Sequence, residues 1–128
     1  MDLNRYIEHT ILKAKATFSD IDKIIDEALK NNFLGICIPP CYIKHAKEKL
    51  KNKNIKLVTV IGFPLGATES DVKAFEAKKA IDNGADEVDM VINIGFARSN
   101  RWDLVEEDIK KVRVSTSNKV LTEILETE

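Results

Sequence analysis

A chain of 128 residues with 44% hydrophobic content is long enough for one domain with a core of its own and too apolar to read as disordered. Lys and Arg (20) nearly balance Asp and Glu (21), giving a formal net charge of −1. No global field therefore draws the chain to nucleic acid or an acidic membrane, and the balance favours a small-molecule partner.

Met1 to Tyr6 lacks the cationic start and apolar core of a secretory signal. The longest weakly polar run, Val58 to Ala67, contains Pro64 and two glycines and is far shorter than the roughly 20 residues of a membrane helix. A cytoplasmic location follows as an expectation, and with it no disulfide between Cys37 and Cys41.

Short runs rich in β-branched residues alternate with segments of helical period, the pattern of βα units on a parallel sheet. Ile7 to Leu12 reads as a first strand. Thr17, with Asp20 three residues on, forms a capping box that opens a helix whose apolar stripe is Ile21, Ile24, Ile25, Ala28 and Leu29. Asn31-Asn32 ends that helix, and Leu34 to Ile38 is the second strand. Pro39-Pro40 suits the first turn of a helix with the stripe Ile43, Ala46 and Leu50. Ile55 to Ile61 is the third strand. The Gly62–Gly66 loop leads to a helix capped by Thr68, with Asp71 three residues later and Val72, Phe75 and Ala80 facing inward, closed by Gly84. Glu87 to Asn93 is the fourth strand, Trp102 to Val114 a helix, and Lys119 to Leu125 a fifth strand. The series fits an open doubly wound sheet or part of a (β/α)₈ barrel. A whole barrel takes about 250 residues, so a barrel here is incomplete. No Gly-x-Gly-x-x-Gly follows the first strand, which removes the dinucleotide-binding signal.

Polar residues inside a buried parallel strand are the informative exceptions. In Glu87–Asn93, alternation puts Val88, Met90 and Ile92 on one face and Glu87, Asp89 and Asn93 on the other. If the apolar face meets the helices, Asp89 points into the barrel. There it is either a general acid/base or a member of a structural ion pair. The same alternation turns Glu8, Thr10, Cys37 and Thr59 inward and His9 toward the helices, where a structural histidine is expected. Cys37, Cys41 and His45 step by four residues without a fourth ligand, so no metal is expected, and Cys37 reads as a small hydrophobe. Lys13 and Lys56 have no context that lowers an amine pKa. Gly66-Ala67-Thr68 is a weak candidate anion turn.

Four segments, Glu8–Lys13, Gly35–Pro39, Val58–Gly66 and Gly84–Asn93, together resemble the class I deoxyribose-phosphate aldolases in order and spacing along essentially the whole chain. The resemblance implies residues 1–128 are a single incomplete TIM (β/α)₈ barrel domain, the first five parallel strands with their helices, ending before strands six to eight. It implies a lyase of deoxyribonucleotide catabolism that reversibly cleaves 2-deoxy-D-ribose 5-phosphate to glyceraldehyde 3-phosphate and acetaldehyde through a lysine Schiff base, with no metal or cofactor. Asp89 matches the family's proton-shuttling aspartate. Glu8, Thr10, Cys37, Thr59 and Asn93 are the expected pocket residues, with Glu8 standing where the family usually has aspartate. The imine lysine, its lysine neighbour and the phosphate loops belong to strands six to eight, so this chain is expected to be inactive alone. Its expected partners are a phosphosugar and either further copies of itself or a C-terminal half. The alternative is a half-barrel assembly module that pairs through open strand edges. In the fifth strand, alignment on Leu125-Glu126-Thr127 places Thr122 where the family carries lysine, and is preferred to alignment on Lys119.

Overall fold

The computed structural model describes residues 3–116 and 119–124. A short 3₁₀ turn (Leu3–Tyr6) precedes β1 (Glu8–Thr10), α1 (Phe18–Asn31), β2 (Gly35–Ile38), α2 (Ile43–Lys49), β3 (Lys56–Ile61), α3 (Ser70–Asp82), β4 (Glu87–Val91), α4 (Ile94–Arg98), α5 (Trp102–Thr116) and β5 (Val120–Ile124). The five strands form one sheet in the order β1-β2-β3-β4-β5, with every neighbouring pair parallel. Sequential parallel order is what successive βα units produce, and it excludes a doubly wound sheet, whose order reverses.

α1 forms where the capping box places it: the Thr17 hydroxyl accepts from the Asp20 amide at 3.2 Å, and the Asp20 carboxylate accepts from the Thr17 amide at 2.9 Å. It ends at Asn32, which takes the left-handed conformation (φ 57°) that asparagine tolerates. Ile21, Ile24, Ile25 and Ala28 are buried, whereas Leu29, at the margin of the stripe, remains 37% exposed. Pro40–Tyr42 forms a 3₁₀ turn before α2, whose Ile43 and Ala46 are buried together with Leu50.

α3 departs from the expected phase and cap. Glu69 occupies the cap without a side-chain hydrogen bond, the helix begins at Ser70, and Val72 and Phe75 face outward at 53% and 72% exposure. Its buried residues are Lys73, Ala77 and Ala80. A lysine on the inner stripe, satisfied by a buried partner on α5, is what rotates the apolar expectation away. At the other end, the Ala85 amide bonds to Ala80 O and the Gly84 amide to Ile81 O, a Schellman closure with Gly84 at φ 118°.

Two apolar layers flank the sheet. Ile36, Ile38, Leu57, Ile61, Val88 and Met90 join α1, α2, α3 and α5 in the main core, while Cys37, Val58 and Val60 meet Leu12 on the opposite, concave face. Fully burying one isoleucine stabilises by about 1.5–3 kcal/mol, so the helix-side layer supplies most of the driving force.

The strands are shorter than the sequence suggests, yet their ladders continue past the ends. Ile7 O accepts from the Leu34 amide and the Ile11 amide donates to Cys37 O. β4 ends at Val91 because Asn93 leaves the ladder to cap α4, its Oδ1 accepting from the Phe96 amide at 3.0 Å. α4 is an element the strand reading ran through. Leu125 to Thr127, on which the preferred register of the fifth strand rests, lie outside the described residues. Within them, Thr122 pairs with Asp89.

Candidate active site

Strand register decides which side chains share the concave face. Thr10, Cys37, Val58, Glu87 and Val120 form one row across the sheet, and Val60, Asp89 and Thr122 the next toward the carboxyl ends. Asp89 therefore lies on the concave face two residues before β4 ends, the edge where (β/α)₈ barrels carry their chemistry. One of its carboxylate oxygens, Oδ1, is buried without a hydrogen-bond partner.

Burial pushes the Asp89 carboxyl up to about 7, and a hydrogen bond that the protonated Asp89 carboxyl donates to Glu87, with the negative charges of Glu87 and Glu8, acts in the same direction. Glu8 is also raised, mainly by burial and then by Glu87, with the Lys56 ammonium opposing. Lys56 reaches Glu87 at 3.8 Å. Like-charged carboxyls facing one another in a partly desolvated place favour keeping a proton among them, the arrangement that brings a carboxylic acid into the neutral range.

Cys37 is buried on β2, and burial, followed by the charges of Asp89, Glu8 and Glu87, pushes its thiol up to about 12. A thiol held protonated is a wall of the pocket and not a nucleophile at neutral pH. Thr10 shares the face but lies on the exposed edge strand, its hydroxyl 3.5 Å from Glu8 O. His9 turns to the helices as expected, bonding Glu27 at 2.7 Å and meeting Phe33 edge-on.

Two of the expected pocket residues lie elsewhere. Thr59 pairs in register with Val88, so it belongs to the helix-facing side, fully buried, with its hydroxyl donating to Ile38 O at 2.7 Å. Leu57, Val58, Val60 and Ile61 around Thr59 are all apolar and buried, so its immediate surroundings set no phase there. Asn93 is beyond β4 and lines a separate cleft of about 410 Å³ with Thr68, Ser70, Phe96, Glu107 and Lys111. The loop after β3 packs against the carboxyl end of β4: Gly66, at φ 67°, brings its backbone so close to Ile92 that a Cβ would lie 2.2 Å from Ile92 O.

One cluster escaped the sequence reading. Lys73 on α3 is fully buried, its ammonium 2.5 Å from Asp108 Oδ2 on α5 and 3.2 Å from Val91 O, and Ser70 donates to the other Asp108 oxygen. The signal lay in spacing, since Lys73 stands four and seven residues before Ala77 and Ala80, and Asp108 falls between Val105 and Val112, all buried.

Comparison with known proteins agrees with this geometry. The profile of the DeoC/LacD family aldolases matches residues 3–128. The deoxyribose-phosphate aldolase of Lactococcus lactis subsp. cremoris is 56% identical over 127 residues, covering 99% of this chain and 58% of that one. The counterpart in Finegoldia magna is 54% identical, with 99% and 60% covered. A crystal structure from Coccidioides immitis, provisionally assigned as a deoxyribose-phosphate aldolase, superposes at a TM-score of 0.93 with 35% identity over 95% of this chain and 48% of that one. The chain thus spans a little over half the length of the curated relatives it matches, and in that span it has the first five parallel strands of their barrel. With the family profile running through nearly every residue, the chain belongs to the DeoC/LacD family of aldolases.

Proposed function

We propose that this chain is the Asp89-bearing part of a deoxyribose-phosphate aldolase, which reversibly cleaves 2-deoxy-D-ribose 5-phosphate to glyceraldehyde 3-phosphate and acetaldehyde. The observation that carries the reading is the Asp89 carboxyl, on the concave face near the carboxyl end of β4, with one buried unpartnered oxygen and a pKa of about 7. A carboxyl that is half protonated at neutral pH takes and returns a proton with little penalty in either direction, which carbon–carbon cleavage through an imine requires. The imine itself needs an amine activated by its neighbours. In this proposal that lysine comes from strand six of a complete barrel, its activating lysine from strand seven and the phosphate site from the last strands. Residues 1–128 are then inactive alone. Glu8, Glu87 and Cys37 shape the pocket around Asp89, while Thr59 and Asn93 support it from outside.

Solution in the cytoplasm and self-association belong to the same proposal. Among the described residues no helix is long and apolar enough to cross a membrane, and one structural neighbour, the Aeropyrum pernix deoxyribose-phosphate aldolase (TM-score 0.79, 27% identity), is described as tetrameric. A second reading, a half-barrel assembly module, draws on β1 and β5 standing at the two edges of the sheet, since unpaired edges invite pairing with another chain.

The test is turnover of 2-deoxyribose 5-phosphate by a barrel completed with strands six to eight, carrying either Asp89 or Asp89→Asn. A fall of about 10²–10⁴ in kcat is expected, the usual contribution of a general acid/base. Near-normal turnover of the variant would remove Asp89 from the mechanism. A completed barrel that forms a defined oligomer without any turnover would favour the assembly module.

A further inference from the structure

The buried cluster between α3, α5 and β4 has no part in the chemistry above, yet it ends on the strand that carries Asp89. Lys73 Nζ donates to Val91 O at 3.2 Å and to Asp108 Oδ2 at 2.5 Å, and both side chains are essentially sealed from solvent, at 0% and 2% exposure. Ser70, on the first turn of α3, donates to Asp108 Oδ1. Val91 is the last residue of β4, and alternation puts it on the same face as Asp89.

A buried ion pair is a poor way to stabilise a fold. Desolvating both charges costs about as much as their attraction returns, and well-packed apolar replacements of similar volume are often neutral or stabilising. What such a pair supplies, in the systems where a gain has been found, is a defined geometry. Here the geometry has a target: with two protons of its ammonium committed, Lys73 fixes the carbonyl where β4 leaves the sheet and ties it to α5 through Asp108. Position matters at that place, because a displacement of about 1 Å in a reacting group can cost about a hundredfold in rate.

We propose that Lys73 is a positioning residue, which holds the carboxyl end of β4 through the Val91 carbonyl and its ion pair with Asp108 and thereby sets where the Asp89 carboxyl stands. The functional meaning of this rests on the aldolase reading, while the positional effect does not. Released, the strand end moves Asp89 toward water and away from the groups that face it, namely Glu87, Glu8 and Cys37. Its titration midpoint then falls toward that of an ordinary carboxyl.

The experiment is a ¹³C NMR titration of the Asp89 carboxyl in the 128-residue chain, comparing the wild type with Lys73→Met/Asp108→Leu, which removes both charges at once, with thermal melting recorded in parallel. The expected result is a double variant that melts within a few degrees of the wild type while the Asp89 midpoint falls by a unit or more, a tenfold change in the ionised-to-protonated ratio. Ser70→Ala, on a partly exposed turn, provides the second variant: it loosens Asp108 without removing a charge and should shift the midpoint downward by a smaller amount. Unmoved midpoints in the folded variants, or in Ser70→Ala alone if the double variant does not fold, would overturn the proposal and leave the cluster a packing device. A wild-type midpoint near 4 would instead overturn the view of Asp89 as a proton shuttle at neutral pH.

Discussion

Asp89 draws its properties from its neighbours more than from its own type. Burial raises its pKa from 3.8 to about 7, so the folded state holds this proton more tightly than the unfolded chain does. The sign follows: its contribution to stability is present in full below about pH 4 and is lost progressively as pH rises to about 7. Urea unfolding should accordingly show a lower midpoint at pH 8 than at pH 5, and Asp89→Asn should reduce that difference; an equal difference in the variant would assign it to other groups, Glu8 among them. Cys37→Ser should cost far less turnover than Asp89→Asn in a completed barrel, because a thiol held up to about 12 lines the pocket without reacting. The placement of Asp89 on the concave face was legible in the sequence because β4 alternates cleanly between Val88 and Met90 on one side and Glu87 and Asp89 on the other. Thr59 was not, since its hydroxyl is satisfied by the Ile38 carbonyl of the adjoining strand, a bond that no pattern within β3 reveals.

In α1 the cap and the apolar stripe that the sequence predicts both form, whereas in α3 the cap lies at Glu69 and the buried stripe is Lys73, Ala77 and Ala80. In α1, Thr17→Ala should destabilise the chain by about 1 kcal/mol through loss of the cap. Ile21→Ala, at a fully buried position, should cost about 2–5 kcal/mol. Chemical denaturation measures both, and comparable small losses would show that α1 is not part of the cooperative core. In α3, the Val72–Phe75 phase looked apolar, but the helix turns Lys73 inward because Asp108 on α5 neutralises it. A buried charge is legible only when its partner is known, and that partner lies 35 residues away. α4 was hidden for a related reason: Asn93 reads as a strand residue until its side chain is seen capping the turn.

At the scale of the molecule, alternating βα units and length pointed to an incomplete barrel, and five parallel strands in sequential order have that form. β1 and β5 stand at its edges, with Val120 of β5 at 49% exposure. Paired edges are the rule in closed barrels, so gel filtration of the chain should show a species larger than a monomer; a stable, cooperatively melting monomer would mean that these edges need no partner. In the proposed division of the reaction, Asp89 moves the proton here and the amine comes from strand six. Borohydride reduction with acetaldehyde, read by mass spectrometry on the 128-residue chain and on the completed barrel, tests it most directly. The expected result is a single-lysine adduct on strand six of the completed barrel and no specific adduct on the short chain; a specific adduct on one lysine among residues 1–128 would contradict the account.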